Sequence, residues 1–354
     1  MKIDGLTFYN GAERFAEKIK GRGSFVLLMA NTGTAAIPGI TAAGASAELN
    51  VYTPPLDAEL VNTGRIMTLD EIPVIPPFIP TPGLITRAVI TLSDFREFYV
   101  DAGIKVPPLI PHFRVGNGPG RDIRTGQAVP NAREIIEAAK KVGAEIAAQS
   151  EFVVIGETIP AGTTTALGVL QAMGIGADAY TSSSMPKNPQ PLKSSVVAEA
   201  LRNAGIAGPV DPITAIEKVG DPMMAGALGL ALGAKGVPII LAGGTQMATV
   251  AVLLSRYADV RELDIALGTT RWVAKDASAN LFGIMGQAGL DFPVMISELS
   301  FARSKFDGLL AYEQGFVKEG VGAGGISAAA MLKGVPREKI EDTVEFMYSK
   351  LVGQ

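Results

Sequence analysis

The sequence predicts an α/β fold: a doubly wound, mostly parallel sheet with helices on both faces, plus a small helical subdomain from the two chain ends. Short runs of apolar residues, typical of buried parallel strands, alternate with segments of helical periodicity. Hydrophobic residues make up 47% of the 354 residues and charged residues only 19%, so much of the chain should be buried. Glycine- and threonine-rich loops follow several of the apolar runs.

The order of strands and helices follows from these periodicities. Six apolar runs are interpreted as strands, at residues 25–29, 88–91, 152–155, 237–241, 263–266 and 293–296. Residues 132–149 carry one apolar helical face, formed by Ile135, Ile136, Ala139, Val142 and Ile146. Further helices are predicted at residues 164–173, 194–203, 213–234 and 245–256. Because strands and helices alternate, right-handed crossovers should place helices on both faces of the sheet.

The chain ends differ from this pattern. Residues 10–20 and 338–351 have amphipathic helical spacing, and no strand is predicted next to either segment. We therefore expect an α/β domain over residues 25–332, and the motifs described below, which indicate a nucleotide-binding and catalytic role, lie within it. Residues 1–24 together with 333–354 are expected to form the small helical subdomain.

Composition excludes several classes of protein. The net charge of −4, without a basic block, argues against a nucleic-acid partner. The chain has no cysteine, which excludes thiolate catalysis, and its one histidine, His112, is interpreted as structural rather than catalytic. The apolar run at residues 223–234 is too short to span a membrane and predicts a buried helix. No metal or cofactor is expected, and the missing cysteines and signal core favour a cytoplasmic protein.

The most informative segment covers residues 153–166. Its apolar run ends in Gly156-Glu157, and the following helix begins with Gly162, Thr163, Thr164 and Thr165. The first N–H groups of a helix lack intrahelical partners and carry positive potential, so a phosphate can bind there. Glu157 is placed at the carboxyl end of its strand, the usual ligand edge of an open parallel sheet. The alternative is an ordinary strand–turn–helix junction with a threonine N-cap.

Other loops are expected to join this segment. Three more glycine- or hydroxyl-rich loops follow predicted strands, at residues 30–34, 243–246 and 268–271, and four such loops together predict a pocket rim. A second carboxylate, Glu319, lies among glycines in residues 317–327. Low side-chain bulk around it would let a substrate approach. The alternative for this segment is a helix end and turn with a solvated glutamate.

These segments resemble the nicotinate-nucleotide–dimethylbenzimidazole phosphoribosyltransferase family of cobamide biosynthesis, in its shorter archaeal branch. The family motif Gly-Glu-Met-Gly-Ile-Gly-Asn-Thr-Thr-Ser-Ala aligns without gaps with residues 156–166. The family's C-terminal motif Gly-Glu-Gly-x-Gly-Ala aligns with residues 318–323, and Lys193 looks like the family's lysine near the nucleotide phosphate. The resemblance covers residues 25–332, and the joint spacing of the two glutamate motifs is its most specific feature.

The resemblance implies transfer of a phosphoribosyl group from nicotinate mononucleotide to 5,6-dimethylbenzimidazole or a related base, giving α-ribazole 5′-phosphate and nicotinate. It also implies a homodimer. Glu319 would be the general base, and Glu157 would orient the ribose or stabilise charge. The donor phosphate and ribose would contact Gly156, Gly162, Thr163, Thr164, Thr165, Lys193, Gly320 and Gly322. The acceptor base would contact Asn31, Thr32, Gly33 and Thr41.

Several residues depart from the family pattern and keep two alternatives open. Ile159 and Ala161 stand where the first motif has glycine, Gly162 stands where it has asparagine, and Lys318 replaces a glycine of the second motif. The family's Asp-His-Gly appears as Asn31-Thr32-Gly33. One alternative is a transferase that uses phosphoribosyl pyrophosphate, although the adjacent acidic pair of such enzymes is missing. The other is a nucleotide- or phosphate-binding regulatory protein without catalysis.

Overall fold

An eight-stranded sheet organises the chain. The computed structural model describes residues 3–42, 48–70, 78–259 and 262–353. Its strands are β1 Leu6–Tyr9, β2 Ser24–Ala30, β3 Arg96–Gly103, β4 Phe113–Arg114, β5 Val153–Thr158, β6 Ile239–Ala242, β7 Ile265–Thr270 and β8 Val294–Ser297. They lie in the order β1-β8-β7-β6-β5-β2-β3-β4. Only the pairing of β1 with β8 is antiparallel among the described strands, so the predicted mostly parallel sheet is confirmed.

The strand order places a topological switch point between β2 and β5. After β2 the chain continues to β3 on one side, whereas β5 pairs on the other side of β2 and leads on to β6. In open α/β sheets, the connections on either side of such a point diverge and leave a crevice at the carboxyl ends of the strands. The topology alone therefore favours a binding site beyond the ends of β2 and β5.

Helices cover both faces of the sheet, as predicted. Their bounds are α1 Ala12–Ala16, α2 Thr53–Thr63, α3 Gly83–Leu92, α4 Ala132–Ala147, α5 Gly162–Ala172, α6 Gln190–Asn203, α7 Pro212–Val219, α8 Pro222–Gly233, α9 Thr245–Tyr257, α10 Arg271–Ala274, α11 Leu281–Gln287, α12 Asp307–Glu313, α13 Ala323–Leu332 and α14 Arg337–Leu351. Alternate side chains of β2 enter two separate cores. Val26 and Leu28 pack with α4 to α9 and α11, whereas Phe25 and Leu27 pack with α1 to α3 and α12 to α14.

Five of the six predicted strands are confirmed, and the prediction for residues 88–91 is wrong. These residues belong to α3, whose side chains Leu84, Ile85, Val89 and Ile90 are buried. The helix packs against α2, α13 and α14. A short helix buried on most sides shows a continuous apolar run, which cannot be distinguished from a buried strand by periodicity alone.

Three strands, β1, β3 and the two-residue β4, and one helix break were missed. Strand β3 begins with Arg96 and Glu97 in its half-buried part, so its sequence lacks a continuous apolar run. Strand β1 lies directly before α1, so the expectation of no strand near that end was wrong. The single helix predicted over 213–234 is two helices, because the side chain of Asp221 caps α8 and Pro222 occupies its first turn.

The C-terminal helix α14 packs mainly on α3, and its buried Ile340 and Val344 join the same core as Phe15 of α1. The chain ends are thus helical and share a core with one face of the sheet. The division between residues 25–332 and the two ends stays a prediction. The run at 223–234 is confirmed as a buried helix, and among the described residues no helix is long and apolar enough to cross a membrane.

Candidate active site

A cavity of about 330 Å³ opens at the carboxyl edge of the sheet, beside the switch point. Two of the four predicted loops line it, the loop after β5 and the loop after β6. The turn after β7 contacts a wall residue, because the N–H of Thr270 donates to Glu319. Its polar wall includes Thr41, Asp57, Arg65, Glu157, Thr163, Ser182, Ser183, Ser184, Thr245, Gln246, Lys318 and Glu319. Its apolar wall includes Ile40, Leu56, Leu60, Phe78, Leu84, Val273 and Val321.

Glycines let α13 press directly onto the strands and bring the two glutamates into this cavity. A Cβ atom on Gly268 of β7 would lie 2.5 Å from the Cα atom of Gly325, which is closer than Cβ atoms are found. The backbone N–H of Val321 donates to the carbonyl oxygen of Glu157 at 2.7 Å. The glycine-rich segment before α13 is therefore tied to the end of β5, and Glu319 is held close to Glu157.

The carboxylate of Glu319 accepts several backbone hydrogen bonds. The N–H groups of Gly320 and Gly324 donate to Oε1 at 3.2 and 3.1 Å, and that of Thr270 donates to Oε2 at 2.8 Å. Burial nevertheless raises the pKa of Glu319 to about 7. This glutamate is thus fixed in orientation, with a pKa near neutral pH, and the alternative of a solvated glutamate at a helix end is not what the structure contains.

Glu157 is more deeply buried, with 5% of its surface exposed. Burial raises its pKa to about 8, and the negative charges of Glu319, Asp221 and Asp57 act in the same direction. The two predicted glutamates therefore lie in one cavity and interact electrostatically. At neutral pH this pair binds at least one proton for most of the time.

The start of α5 presents only part of its predicted phosphate site to the cavity. Gly162 and Thr163 line the wall. Thr165 instead points inward, where its Oγ1 donates to the carboxylate of Asp221 and to the carbonyl oxygen of Gly162. Thr164 is fully buried, and Gly156 lies beneath the wall in backbone contact with Gly322. Gly320 lines the cavity, whereas Gly322 does not.

Lys193 lies behind the wall rather than on it. Its Nζ donates to the carbonyl oxygen of Thr181 at 3.1 Å, to Thr181 Oγ1 at 2.6 Å and to the carbonyl oxygen of Ser182 at 2.7 Å. Burial lowers the pKa of this ammonium group to about 7, and the charge of Lys318 adds to the effect. Lys193 thereby supports the serine loop, residues 182–184, which lines the cavity.

A second buried lysine anchors the other side of the serine loop. Lys318 Nζ lies 2.8 Å from Asp276 Oδ2 and donates to the carbonyl oxygen of Met185 at 2.8 Å. Asp276 also accepts from Ser182 Oγ at 2.7 Å. Lys318, which stands at a glycine position of the family motif, is therefore an internal ion-pair partner next to Glu319.

The four residues predicted for the acceptor base are separated in the fold. Thr41 lines the cavity. Asn31 Oδ1 accepts from the N–H of Lys105, Thr32 caps the 3₁₀ turn Gly33–Ala36, and Gly33 packs against the backbone of Asp122. Asn31, Thr32 and Gly33 thus organise the loop after β2 and are absent from the cavity wall formed by the described residues.

Sequence reasoning missed Asp57 in α2. Its carboxylate accepts from Thr158 Oγ1 at 2.6 Å and from Thr81 Oγ1 at 2.7 Å. Burial raises its pKa to about 6. The serine loop and Asp221 were missed too. Two signals in the sequence could have indicated the aspartates. Asp57 stands within an otherwise apolar helical segment, and Asp221 stands in the Gly-Asp-Pro sequence at 220–222, which is typical of a helix start.

Backbone strain marks the same loops. Ala161, Val317 and Val321 adopt left-handed conformations, with φ of 66°, 40° and 55°. Such conformations are unfavourable for residues with a side chain, above all for branched ones, and they cluster at functional sites. Both valines flank the Lys318–Gly320 segment, so the position of Glu319 is held against local preference by the surrounding contacts.

Two other features discussed from the sequence are the single histidine and metal-binding groups. The Nδ1–H of His112 donates to the carbonyl oxygen of Ile110 at 2.9 Å. His112 is not on the wall, in line with a structural role. Within the described part of the chain, no group of three or more His, Cys, Asp or Glu side chains is arranged to hold a metal ion.

The fold and the cavity define an α/β protein with an acidic cavity next to a helix start. The chain belongs to the phosphoribosyltransferase family, because the family model of that description matches residues 91–271 and relatives match almost the whole chain. One relative, a UPF0284 protein of Archaeoglobus fulgidus, is 43% identical over 98% of this chain and 99% of its own length. A UPF0284 protein of Sulfurisphaera tokodaii is 41% identical, with 98% of both chains covered.

Solved structures show the same fold at much lower identity. The crystal structure of nicotinate-nucleotide-dimethylbenzimidazole phosphoribosyltransferase from Thermus thermophilus superposes with a TM-score of 0.62 at 18% identity. The match covers 94% of this chain and 89% of that one. A structure of CobT from the same organism gives a TM-score of 0.60, also at 18% identity, over 91% of this chain and 90% of the other.

Proposed function

We propose that this protein transfers a phosphoribosyl group from nicotinate mononucleotide to 5,6-dimethylbenzimidazole or a related base, with release of nicotinate. The product would be α-ribazole 5′-phosphate, for the nucleotide loop of a cobamide. The observation that carries the proposal is the meeting of Glu157 and Glu319 in one cavity beside the start of α5. Membership of the phosphoribosyltransferase family supports the group that is transferred.

The chemistry suits this arrangement. The bond between C1′ and the pyridinium nitrogen breaks, its electron pair stays on that nitrogen, and nicotinate leaves with a neutral ring. A ring nitrogen of the acceptor base forms the new bond to C1′ on the opposite face. The transition state has oxocarbenium character, which a carboxylate near C1′ stabilises. The acceptor's N–H proton must go to a base as the new bond forms.

Glu319 is the proposed general base. Its carboxylate is oriented by the N–H groups of Thr270, Gly320 and Gly324, and burial raises its pKa to about 7. A base whose pKa is near the working pH is present in its ionised form and still binds the proton it receives. The proton from the acceptor would therefore move to an oxygen of Glu319.

Glu157 and the start of α5 are the proposed donor contacts. At neutral pH Glu157 is largely protonated, since burial and neighbouring carboxylates raise its pKa to about 8. A neutral carboxyl group donates one hydrogen bond and accepts others, which suits the hydroxyls of a ribose. Gly162 and Thr163 would hold the 5′-phosphate at the positive end of α5.

The apolar wall is the proposed acceptor region. Leu56, Leu60, Phe78 and Leu84 offer a surface on which a flat aromatic base can pack, and Thr41 and Asp57 add polar groups to it. Dimethylbenzimidazole is part of the name of the superposed Thermus thermophilus protein. We extend this acceptor class to the present chain, together with a homodimer and a cytoplasmic location as further expectations.

The test is nicotinate release. The purified protein is incubated with nicotinate mononucleotide and, in separate reactions, with 5,6-dimethylbenzimidazole, benzimidazole or adenine, and nicotinate is measured by chromatography. Release that depends on a base supports the proposal and identifies the acceptor. Nucleotide binding without release under every condition contradicts catalysis. Product from phosphoribosyl pyrophosphate and Mg²⁺ alone would instead support the pyrophosphate-dependent alternative.

A further inference from the structure

Arg65 stands on the cavity wall directly after helix α2. Gly64 caps the end of this helix with a left-handed φ of 77°, and Gly64, Arg65 and Ile66 all line the cavity. The Arg65 residue is exposed, and its guanidinium group has no ion pair or hydrogen bond with any residue that the structure describes. A cation without a protein partner therefore lies where the cavity meets solvent.

The turn that carries Arg65 is held in place by Glu59. This glutamate is fully buried. Its Oε2 atom accepts from the N–H groups of Met67 and Thr68 at 2.6 and 2.9 Å. Its Oε1 atom accepts from the N–H of Leu109 at 2.8 Å. The backbone next to Arg65 is therefore ordered before a ligand binds, which lowers the entropy that binding costs.

The charges of the wall make Arg65 the cation that a ligand can reach. The other cationic side chain of the described wall, Lys318, lies 2.8 Å from Asp276 and is 3% exposed, so it is already paired inside the protein. Three carboxyl groups line the same cavity. Each of them repels an anionic ligand when it is ionised. A nucleotide that enters this cavity therefore needs a compensating cation, and Arg65 supplies one.

We propose that Arg65 binds an anionic group of the donor nucleotide, which is either the carboxylate of the pyridine ring or the 5′-phosphate. This inference rests on the proposed function and adds a donor-specificity residue to it. The N–H groups of a guanidinium form a fork that matches two oxygens of a carboxylate or a phosphate. Since the 5′-phosphate is proposed to lie at the start of α5, the ring carboxylate is the expected partner. Arg65 would then select the nicotinate nucleotide over the nicotinamide nucleotide.

Calorimetry with three ligands, without an acceptor base, tests the pairing. Nicotinate mononucleotide carries both anionic groups, nicotinamide mononucleotide lacks the carboxylate, and nicotinate riboside lacks the phosphate. Arg65→Gln should weaken binding of nicotinate mononucleotide about 10- to 100-fold, the loss typical of a hydrogen bond to a charged group. Nicotinate riboside should be weakened by a similar factor, whereas nicotinamide mononucleotide should change by no more than about twofold.

Two further variants separate this pairing from general effects. Arg303→Gln is the matched control, because Arg303 is exposed and lies outside the cavity, and it should leave all three affinities unchanged. Arg65→Lys keeps the charge but loses the fork, so it should recover only part of the lost affinity. Thermal melting of each variant checks that the fold is intact.

The pattern of losses decides the outcome. A loss for nicotinamide mononucleotide with an unchanged affinity for the riboside would assign Arg65 to the phosphate. Unchanged binding of all three ligands by Arg65→Gln, equal losses for all three, or a wild-type protein that binds none of them would each overturn the proposal. Failure of the proposed function appears differently, as binding of nicotinate mononucleotide without release of nicotinate.

Discussion

Gly156 and Gly322 touch through their backbones, where β5 passes the segment that leads into α13. A Cβ atom on Gly156 would lie 2.8 Å from the Cα atom of Gly322, and a Cβ atom on Gly322 would lie 3.1 Å from the Cα atom of Gly156. Gly322 also has a left-handed φ of 73°. Glu157 directly follows Gly156, and Glu319 lies shortly before Gly322. The contact between the two glycines therefore sets how near the two cavity glutamates lie.

Gly156→Ala should therefore damage stability and activity together. The added methyl group meets backbone, which cannot move aside as a flexible side chain can, and overpacking of this kind costs about 1–3 kcal/mol. Urea unfolding measures the change. Gly286→Ala is the control, since that helical glycine of α11 has open space around it and should gain slightly in stability. An unchanged stability of Gly156→Ala would contradict the close contact.

Glu319→Gln should lower kcat by about 10²–10⁴-fold while nucleotide affinity stays close to that of the wild type, because only proton removal from the acceptor is lost. In the wild type, kcat should rise with pH through about 7, as the carboxyl group of Glu319 ionises. Steady-state kinetics from acidic to mildly alkaline pH tests both expectations. A variant that turns over normally at saturation but binds the nucleotide poorly would exclude the role of general base.

The stability of the folded protein should fall as the pH rises from the ordinary pKa of a glutamate to the raised pKa of Glu157. Its pKa is about 8 in the folded state against an ordinary value of 4.5, so the folded state holds a proton that the unfolded state releases. At pH values between these two pKa values, the unfolded chain binds fewer protons than the folded protein does. The free energy of unfolding therefore decreases as the pH rises.

Glu157→Gln should remove the part of this dependence that Glu157 contributes, while the raised pKa values of Glu319 and Asp57 leave a remainder at lower pH. At a pH of about 8 we expect the variant to be more stable than the wild type by on the order of 3 kcal/mol, measured by urea unfolding. Glu145→Gln, on the exposed side of α4, is the matched control and should leave the pH profile unchanged. If Glu157→Gln and the wild type showed the same change of stability with pH, the raised pKa of Glu157 would be refuted, since the contributions of the other groups, Lys193 among them, are common to both proteins.

Ala161→Gly should stabilise the protein. Ala161 has a φ of 66° just before α5, and a left-handed residue with a Cβ is less favourable than glycine by about 1 kcal/mol. Ala144→Gly, at an exposed site inside α4, is the comparison and should destabilise by a similar amount. Differential scanning calorimetry of both variants shows whether each substitution raises or lowers the stability. A loss of stability in Ala161→Gly would contradict the left-handed conformation at this position.

Much of the fold was predictable because local patterns report burial. Continuous apolar runs identified five central strands, and one-sided periodicity identified α4, since both reflect contacts with a large core. The patterns failed where burial was unusual. Helix α3 is apolar on nearly all sides and looked like a strand, whereas β3 begins with charged residues in its half-buried part and was missed.

The amino-acid sequence by itself determined the class of fold, the two glutamate motifs and the helix start after β5, because strand ends and glycine-rich turns follow from local residue types. Only the tertiary structure decided which of these residues share a cavity. It placed Lys193 behind the serine loop, kept Asn31 away from the wall and brought Asp57 and Gln246 onto it. Such placements depend on contacts between residues far apart in the chain, and these arise only when the sheet and both helix layers are packed together.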